Sequence, residues 1–370
     1  MQSEELQLNI VKVAPLPPDV EEIRRSVIEH TGDTAPLGES LADKVKVVSP
    51  GRLVMRRFFR SKLSMVGLVM LVALILFSVF GPLISPWGQT QVDYNNTSGR
   101  SSYTEVKVAY VGDDGETYEI ISVSRTVYPS NCFAPPSAQH WLGTDQNGRD
   151  ILTRIMYGGR ISLLIGVIVV FLSMLIGVIL GGISGYYGKW ADQIIMRIVD
   201  IFNCLPTFPL LLIIGALLDA FGIKSFGRIY WMMLFLTLFS WTGIARLVRG
   251  QLLSLREQEF ILAAEAMGVP PFQKIFRHLI PNVIPQLIVT MTLSFGGVIL
   301  YEAALSFLNM GVPQPYAAWG TMINSANDPN ILAHYFNIWG PPGICIIIAV
   351  LAFNFIGDGL RDAFDPKAKR

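Results

Sequence analysis

Charge is scarce in this sequence. Of 370 residues, 29 are Lys or Arg and 28 are Asp or Glu, 15% together, where a soluble domain carries about 25%. With 51% hydrophobic residues and a mean hydropathy of +0.45, that deficit excludes the ordinary two-domain soluble enzyme that length alone suggests. The high apolar content and low net charge exclude a disordered chain. A net charge of +1 gives no global basis for nucleic-acid binding. Cysteine is sparse too: Cys132, Cys204 and Cys345 have neither metal spacing nor the number for a disulfide framework. His30, His140, His278 and His334 are scattered, without ligand spacing. No G-x-x-x-x-G-K-[ST] is present to cradle ATP phosphates, and no G-x-S-x-G or H-E-x-x-H occurs.

What the sequence does have is long apolar runs. A helical span needs roughly 20 apolar residues. Ser64–Ser85, Ile161–Tyr186, Ile229–Val248, Val283–Leu308 and Trp339–Gly357 meet that length. A sixth stretch, Ile194–Phe221, contains Arg197, Asp200 and Pro206 before its apolar part. It reads as one long helix starting at the membrane surface and kinked at Pro206 and Pro209. Basic residues mark the inner side of a membrane. Arg52, Arg56, Arg57, Arg60 and Lys62 precede the first span, and Arg246, Arg249, Arg256, Lys274 and Arg277 lie at the end of the fourth or follow it. Arg361, Lys367, Lys369 and Arg370 close the chain, whereas 309–338 has no Lys or Arg. Six spans with both termini inside satisfy all these biases. The polar leader before residue 64 argues against a cleaved signal peptide.

The organisation expected is a leader over 1–50 with a short helix at Val20–His30, a basic flank and first span over 51–86, and an outer loop over 87–158. A core of spans follows over 159–360, containing an inner loop at 250–282, and a tail closes the chain over 361–370. Alternation at Val106, Val108 and Tyr110, a Gly112-Asp113-Asp114-Gly115 turn, and Tyr118, Ile120 and Val127 predict a β-hairpin in the outer loop.

The inner loop is the most patterned polar segment. Glu259 to Gly268 reads as a helix in which Ala263, Ala264 and Ala266 keep one face narrow for a partner's approach. Gly268, Pro270 and Pro271 end it. Phe272, Ile275, Phe276 and Leu279 recur at helical spacing, Lys274, Arg277 and His278 supply a polar side, and Pro281 marks a stop. Periodicity alone equally suits an ordinary connecting hairpin. In the outer loop, Asp145, Arg149 and Asp150 suit turn capping and ion pairing more readily than substrate contact. Glu302 lies near the outer end of the fifth span, where an acid is either a functional group or one that reaches water or a helix N-terminus.

The inner loop resembles the EAA loop of importer-type ABC transporter permeases, E-A-A, three residues, G, then I-x-x-x-x-L-P. Ala263, Ala264, Gly268, Ile275, Ile280 and Pro281 match or nearly match; Leu262 stands at the Glu position, with Glu259 and Glu265 out of register. The peptide/nickel branch often lacks that Glu, so the departure narrows the branch. His140-Trp141-Leu142-Gly143-Thr144-Asp145 with Gly148-Arg149-Asp150 resembles a signature of oligopeptide and dipeptide permeases. So does Glu302–Leu308 with Gly311 and Trp319-Gly320, and so does Gly357–Asp362 with Asp365-Pro366. The likeness covers about Arg52 to Lys367, except much of the outer loop, and points to the "C" subunit.

The resemblance implies an all-α integral membrane protein of six transmembrane helices with the type I importer (MetI-like) permease fold, in the cytoplasmic membrane of a prokaryote. It implies no covalent chemistry and no cofactor on this chain, with ATP and Mg bound in two partner ATPase subunits. A second, similar permease and an extracytoplasmic solute-binding protein complete the implied assembly. Coupling to the ATPases falls on Glu259, Ala263, Ala264, Glu265, Gly268, Lys274, Ile275, Arg277, His278 and Pro281. Asp145, Arg149, Asp150, Glu302 and Trp319 are candidates for the outer face or the translocation path. Oligopeptides or dipeptides are the implied cargo; nickel chelates, glutathione and oligosaccharides stay open. A stand-alone secondary transporter is the rival class, and it favours paired intramembrane charges and interrupted helices.

Overall fold

A computed structural model of the chain describes residues 50–94, 102–111, 113, 116–126, 130–223 and 226–365. The expected helix at Val20–His30, most of the hairpin turn, and Lys367, Lys369 and Arg370 lie outside the described residues. In chain order the elements are α1 (Pro50–Arg60), α2 (Lys62–Ile84), β1 (Ser102–Val111), β2 (Thr117–Thr126), α3 (Ile151–Tyr187), α4 (Lys189–Cys204) and α5 (Thr207–Ala220). Then come α6 (Phe226–Leu255), α7 (Glu259–Ala266), α8 (Pro271–Phe307), α9 (Trp319–Ile323), α10 (Pro329–His334) and α11 (Phe336–Phe364).

Among the described residues, α2, α3, α6, α8 and α11 are each long and apolar enough to cross a membrane. Several outrun the apolar runs that forecast them. The 37 residues of α3 extend about 55 Å, against roughly 30 Å of hydrocarbon. Its first ten residues, expected in the outer loop or at its edge, are already helical because Asp150 caps it: Oδ2 accepts from Thr153 N at 2.8 Å.

The stretch Ile194–Phe221 is not the single kinked helix expected of it. It is two helices, α4 and α5, meeting at 79°. Leu205, preceding a proline, is extended (φ −81°, ψ 132°), as the ring of the following proline demands. Pro209, by contrast, sits in the first turn of α5, where no helical N–H bond is forfeited.

The stop expected at Pro281 is also absent. The chain turns through a π-helical segment, Lys274–Leu279, with Ile280 N bonding back to Ile275 O, and continues past Pro281 and Pro285 to Phe307. The wider turn accommodates a residue that cannot donate.

Glycines set how the spans pack. A Cβ at Gly177 would lie 2.7 Å from Ile244 Cβ, at Gly181 2.5 Å from Ala245 O, and at Gly185 2.8 Å from Leu252 Cβ. These three positions, four apart, form a seam on which the backbones of α3 and α6 meet closely. Both helices ascend in number along it, so they run parallel, and the α4–α5 pair between them returns the chain across the bundle. α11 runs antiparallel to α2: Gly67 abuts Phe355 and Ala352, and Gly359 abuts Ser64. The largest buried cluster joins Ile155, Ile165 and Val169 of α3 to Leu236, Ile299, Trp319 and Ala349. Val66, Val69, Ile75 and Phe80 of α2 stay exposed, a surface suited to hydrocarbon. At the loop between α2 and α3, β1 and β2 pair antiparallel from Ser102↔Thr126 to Val111↔Thr117.

Candidate functional site

At one end of the bundle, α7 and the start of α8 form a platform joined to the spans. Ile261, Ile275, Leu279 and Val283 pack with Ile244, Val248 and Leu252 of α6. On α7, Ile261 and Ala264 face inward while Phe260, Leu262, Ala263, Glu265 and Ala266 are exposed. The narrow alanine face is thus divided: Ala264 is buried in the chain itself, and Ala263 and Ala266 remain open.

Gly268 ends α7 at φ +75°, with Val269 N bonding Ala264 O and Gly268 N bonding Glu265 O, the paired bonds of a left-handed helix cap. Beyond it, Phe272 and Phe276 point outward with rings 4.5 Å apart, while Ile275 and Leu279 point inward. The i, i+4 spacing that looked like one apolar face is therefore two opposed pairs.

Lys274 departs from the polar side expected of it. Its side chain is 6% exposed, 3.4 Å from Glu265 Oε2, and its ammonium lies 5.7 Å over the Tyr186 ring. The π-helical segment turns it inward, where its stem packs on apolar surface. Arg277 is exposed, His278 is half-buried with its carbonyl accepting from Asn282 Nδ2 at 2.7 Å, and Glu259 and Pro281 are exposed.

Sequence reasoning missed the ion pairs beside this platform. Arg249 grips Asp192 with two nitrogens, one at 2.6 Å, and Arg246 reaches Asp200 at 2.6 Å. The signal was there: two acids on α4 eight residues apart, facing two bases on α6. Pairing across 46 and 57 positions is not readable from one chain.

At the opposite end, Asp145, Arg149 and Asp150 hold a tight turn. Asp145 Oδ1 accepts from Asn147 N (2.8 Å) and Arg149 N (3.0 Å). Gly143 and Gly148 take φ +82° and +70°, which only glycine adopts freely. Buried His140 lies between two carboxylates, Nδ1 2.9 Å from Asp150 Oδ1 and Nε2 3.3 Å from Asp93 Oδ2, under the Trp87 ring. Among the described residues Asp145 pairs with Arg154, whose Nε lies 3.5 Å away, and not with Arg149. Among the described residues, Arg149 Nε and Nη1 have no hydrogen-bond partner. Arg154 also donates to Gln89 O (2.9 Å) and Pro315 O (3.2 Å). A base just ahead of the apolar run that begins at Ile161 was the overlooked signal.

Glu302 does not reach water. It is fully buried, accepting from Ser162 Oγ of α3 at 2.9 Å and from Ser306 Oγ of α8 at 2.7 Å. Trp319 is fully buried beside it, its backbone N donating to Ser162 Oγ (3.3 Å) and its indole N to Ile155 O (3.0 Å). These two candidates are brought together, but as a joint between α3, α8 and α9.

Comparison with known proteins gives consistent findings. A family model described as "Binding-protein-dependent transport system inner membrane component" matches residues 173–370, and one described as "N-terminal TM domain of oligopeptide transport permease C" matches 49–101. The chain is 37% identical to the dipeptide transport system permease protein DppC of Alkalihalophilus pseudofirmus, over 88% of this chain and 93% of that one. It is 36% identical to the oligopeptide transport system permease protein OppC of Bacillus subtilis, over 89% and 94%. Among solved structures, the inward-facing MetNI methionine ABC transporter aligns with 20% identity, 57% of this chain, 96% of that chain and a TM-score of 0.46.

Proposed function

The chain belongs to the family of binding-protein-dependent transport system inner membrane components, and from that premise we propose that it carries peptides, paired with a second, similar permease. Two ATPase subunits, holding ATP and Mg, dock at the α7–α8 platform, and a solute-binding protein docks at the opposite end, where the hairpin and the His140 turn lie. The assembly sits in the cytoplasmic membrane with the platform inside. The names of the relatives support the peptide cargo.

The observation that carries this reading is the platform. Exposed Phe260, Phe272, Phe276 and Met267 surround a helix whose inner face is locked to α6 and α8. Such a patch at a rigid lever suits a partner that moves. ATP binding closes the ATPase pair, the platform follows, and the anchored spans tilt so that the path opens outward. Coupling of this kind requires only that the platform bind two conformations of the partner differently. Contact falls on Glu259, Ala263, Glu265 and Arg277 at the surface. Ala264, Gly268, Lys274, Ile275, His278 and Pro281 shape and hold it.

The test uses Phe260→Asp and Phe272→Asp, both on exposed positions, so membrane insertion and thermal stability stay within about 0.5 kcal/mol of wild type. ATPase subunits no longer copurify, and ATP-driven uptake of a labelled dipeptide into vesicles falls at least about tenfold, the scale of losing a central interface anchor. Wild-type uptake in both variants, or uptake by the chain alone without ATP, overturns the reading.

A further inference from the structure

The break between α4 and α5 lies deep in the bundle. Asp192, Asp200 and Asn203 of α4 meet Arg249, Arg246 and Thr242 of α6 in turn. α4 thus climbs α6 from the platform end to about its middle before the chain bends through 79°. Cys204, Leu205 and Pro206 at the bend are exposed. Pro206 offers α5 no side-chain cap, and the first N–H groups of a helix have no intrahelical acceptor. Irregular backbone at such depth persists only where protein buries it or where it lines a watery cavity.

A cavity is there. About 290 Å³ opens between α3, α5, α6 and α8, with Ser173, Thr207, Ser240, Ser294, Gly297 and Tyr301 on its wall and no charged residue among its lining. Ser240 and Ser294 donate to their own helices, to Leu236 O at 2.7 Å and Thr290 O at 2.8 Å, and no donor among the described residues takes their lone pairs. The Thr207 and Tyr301 hydroxyls have no hydrogen-bond partner among the described residues. The wall therefore presents donors at the start of α5 and on Tyr301, acceptors on α6 and α8, and no fixed charge.

We propose that this cavity is where the cargo is held within the membrane, and that it grips the main chain of a peptide. This rests on the peptide reading above. Main-chain carbonyls accept from Thr207, Tyr301 and the first N–H groups of α5, an end whose dipole favours the negative pole of a ligand. Main-chain N–H groups donate to the serine hydroxyls. A neutral wall matches alternating donors and acceptors without ranking side chains by charge. The volume is at the small end of ligand pockets, so it holds a short stretch of a longer cargo.

Gly297 supplies the test, because a Cβ there meets nothing within 4 Å. Gly297→Leu projects a side chain into the cavity from a position whose Cβ is unobstructed. In liposomes carrying the whole purified complex and loaded binding protein, uptake of labelled trialanine is expected to fall at least about tenfold in this variant, equivalent to about 1.4 kcal/mol, with all subunits still copurifying. Thr207→Val and Tyr301→Phe each lower uptake roughly fivefold, the factor for one net hydrogen bond, and by the same factor for Ala-Lys-Ala and Ala-Glu-Ala. Thr207→Ser restores it. Undiminished uptake in Gly297→Leu, loss of the second permease from that complex, or an effect confined to one charge class overturns the site while leaving the transport reading in place. Wild-type liposomes that take up no peptide overturn the transport reading, and this assignment with it.

Discussion

Glu302 carries a carboxylate into the interior of the bundle, and two serine hydroxyls meet it there. Its replacement separates the joint from a channel role. Glu302→Ala leaves both serine protons without an acceptor, and each orphaned buried group costs about 1–3 kcal/mol. Glu302→Gln keeps the shape and one acceptor oxygen, and is expected to cost less. Thermal unfolding of the detergent-solubilised protein checks the order; equal midpoints for Glu302→Ala and wild type refute it. Asp150 behaves similarly at the start of α3. It caps the helix and takes the His140 ring, so Asp150→Ala should lose about 1–2 kcal/mol on the cap alone, read in the same assay. Glu302 was visible in the sequence as an acid in an apolar run, and Asp150 as a capping or pairing group in the outer loop. Their partners were not: Ser162 lies 140 positions from Glu302, and periodicity carries no information over that distance.

The seam between α3 and α6 allows a sharp comparison between neighbouring glycines. At Gly181 a Cβ would sit 2.5 Å from Ala245 O, whereas at Gly182 the nearest atom is 3.9 Å away. Gly181→Ala is expected to force the helices apart at about 1–3 kcal/mol. Gly182→Ala is expected to be neutral or to stabilise by up to about 1 kcal/mol, through helix propensity. Unfolding midpoints of the two variants check this, and a Gly182→Ala loss as large as that of Gly181→Ala would sink it. The existence of the spans was legible in the sequence because apolar runs of membrane length are a strong signal. Proline was the poor guide. Pro206 looked like a kink and is a full break, because Leu205 before it is driven into an extended conformation. Pro281 looked like a stop and is bridged by a π-helical turn, which no residue pattern announces. The same turn faces Lys274 inward, which simple 3.6-residue spacing does not foresee.

For the molecule as a whole, the placement of bases and the direction of the helices give one topology. Arg56, Arg57, Arg60 and Lys62 lie around the start of α2, and Arg57 reaches Asp365 O at the far end of α11 at 3.0 Å. Parallel packing of α3 and α6 along the glycine seam requires the α4–α5 pair to cross, and six crossings bring both ends of the described bundle to the side of the platform. Had the pair merely dipped in and returned, α6 would run opposite to α3, and the platform would emerge beside the His140 turn. Cysteine labelling distinguishes the two arrangements. With Cys204 and Cys345 replaced by Ala, exposed Cys132 is expected to react with a membrane-impermeant maleimide on intact cells. With all three native cysteines replaced, Arg277→Cys, at an exposed platform position, is expected to react only in inverted vesicles. Labelling of both from the same side would mean that the bent pair does not cross, and that the bias of basic residues had been misread with it.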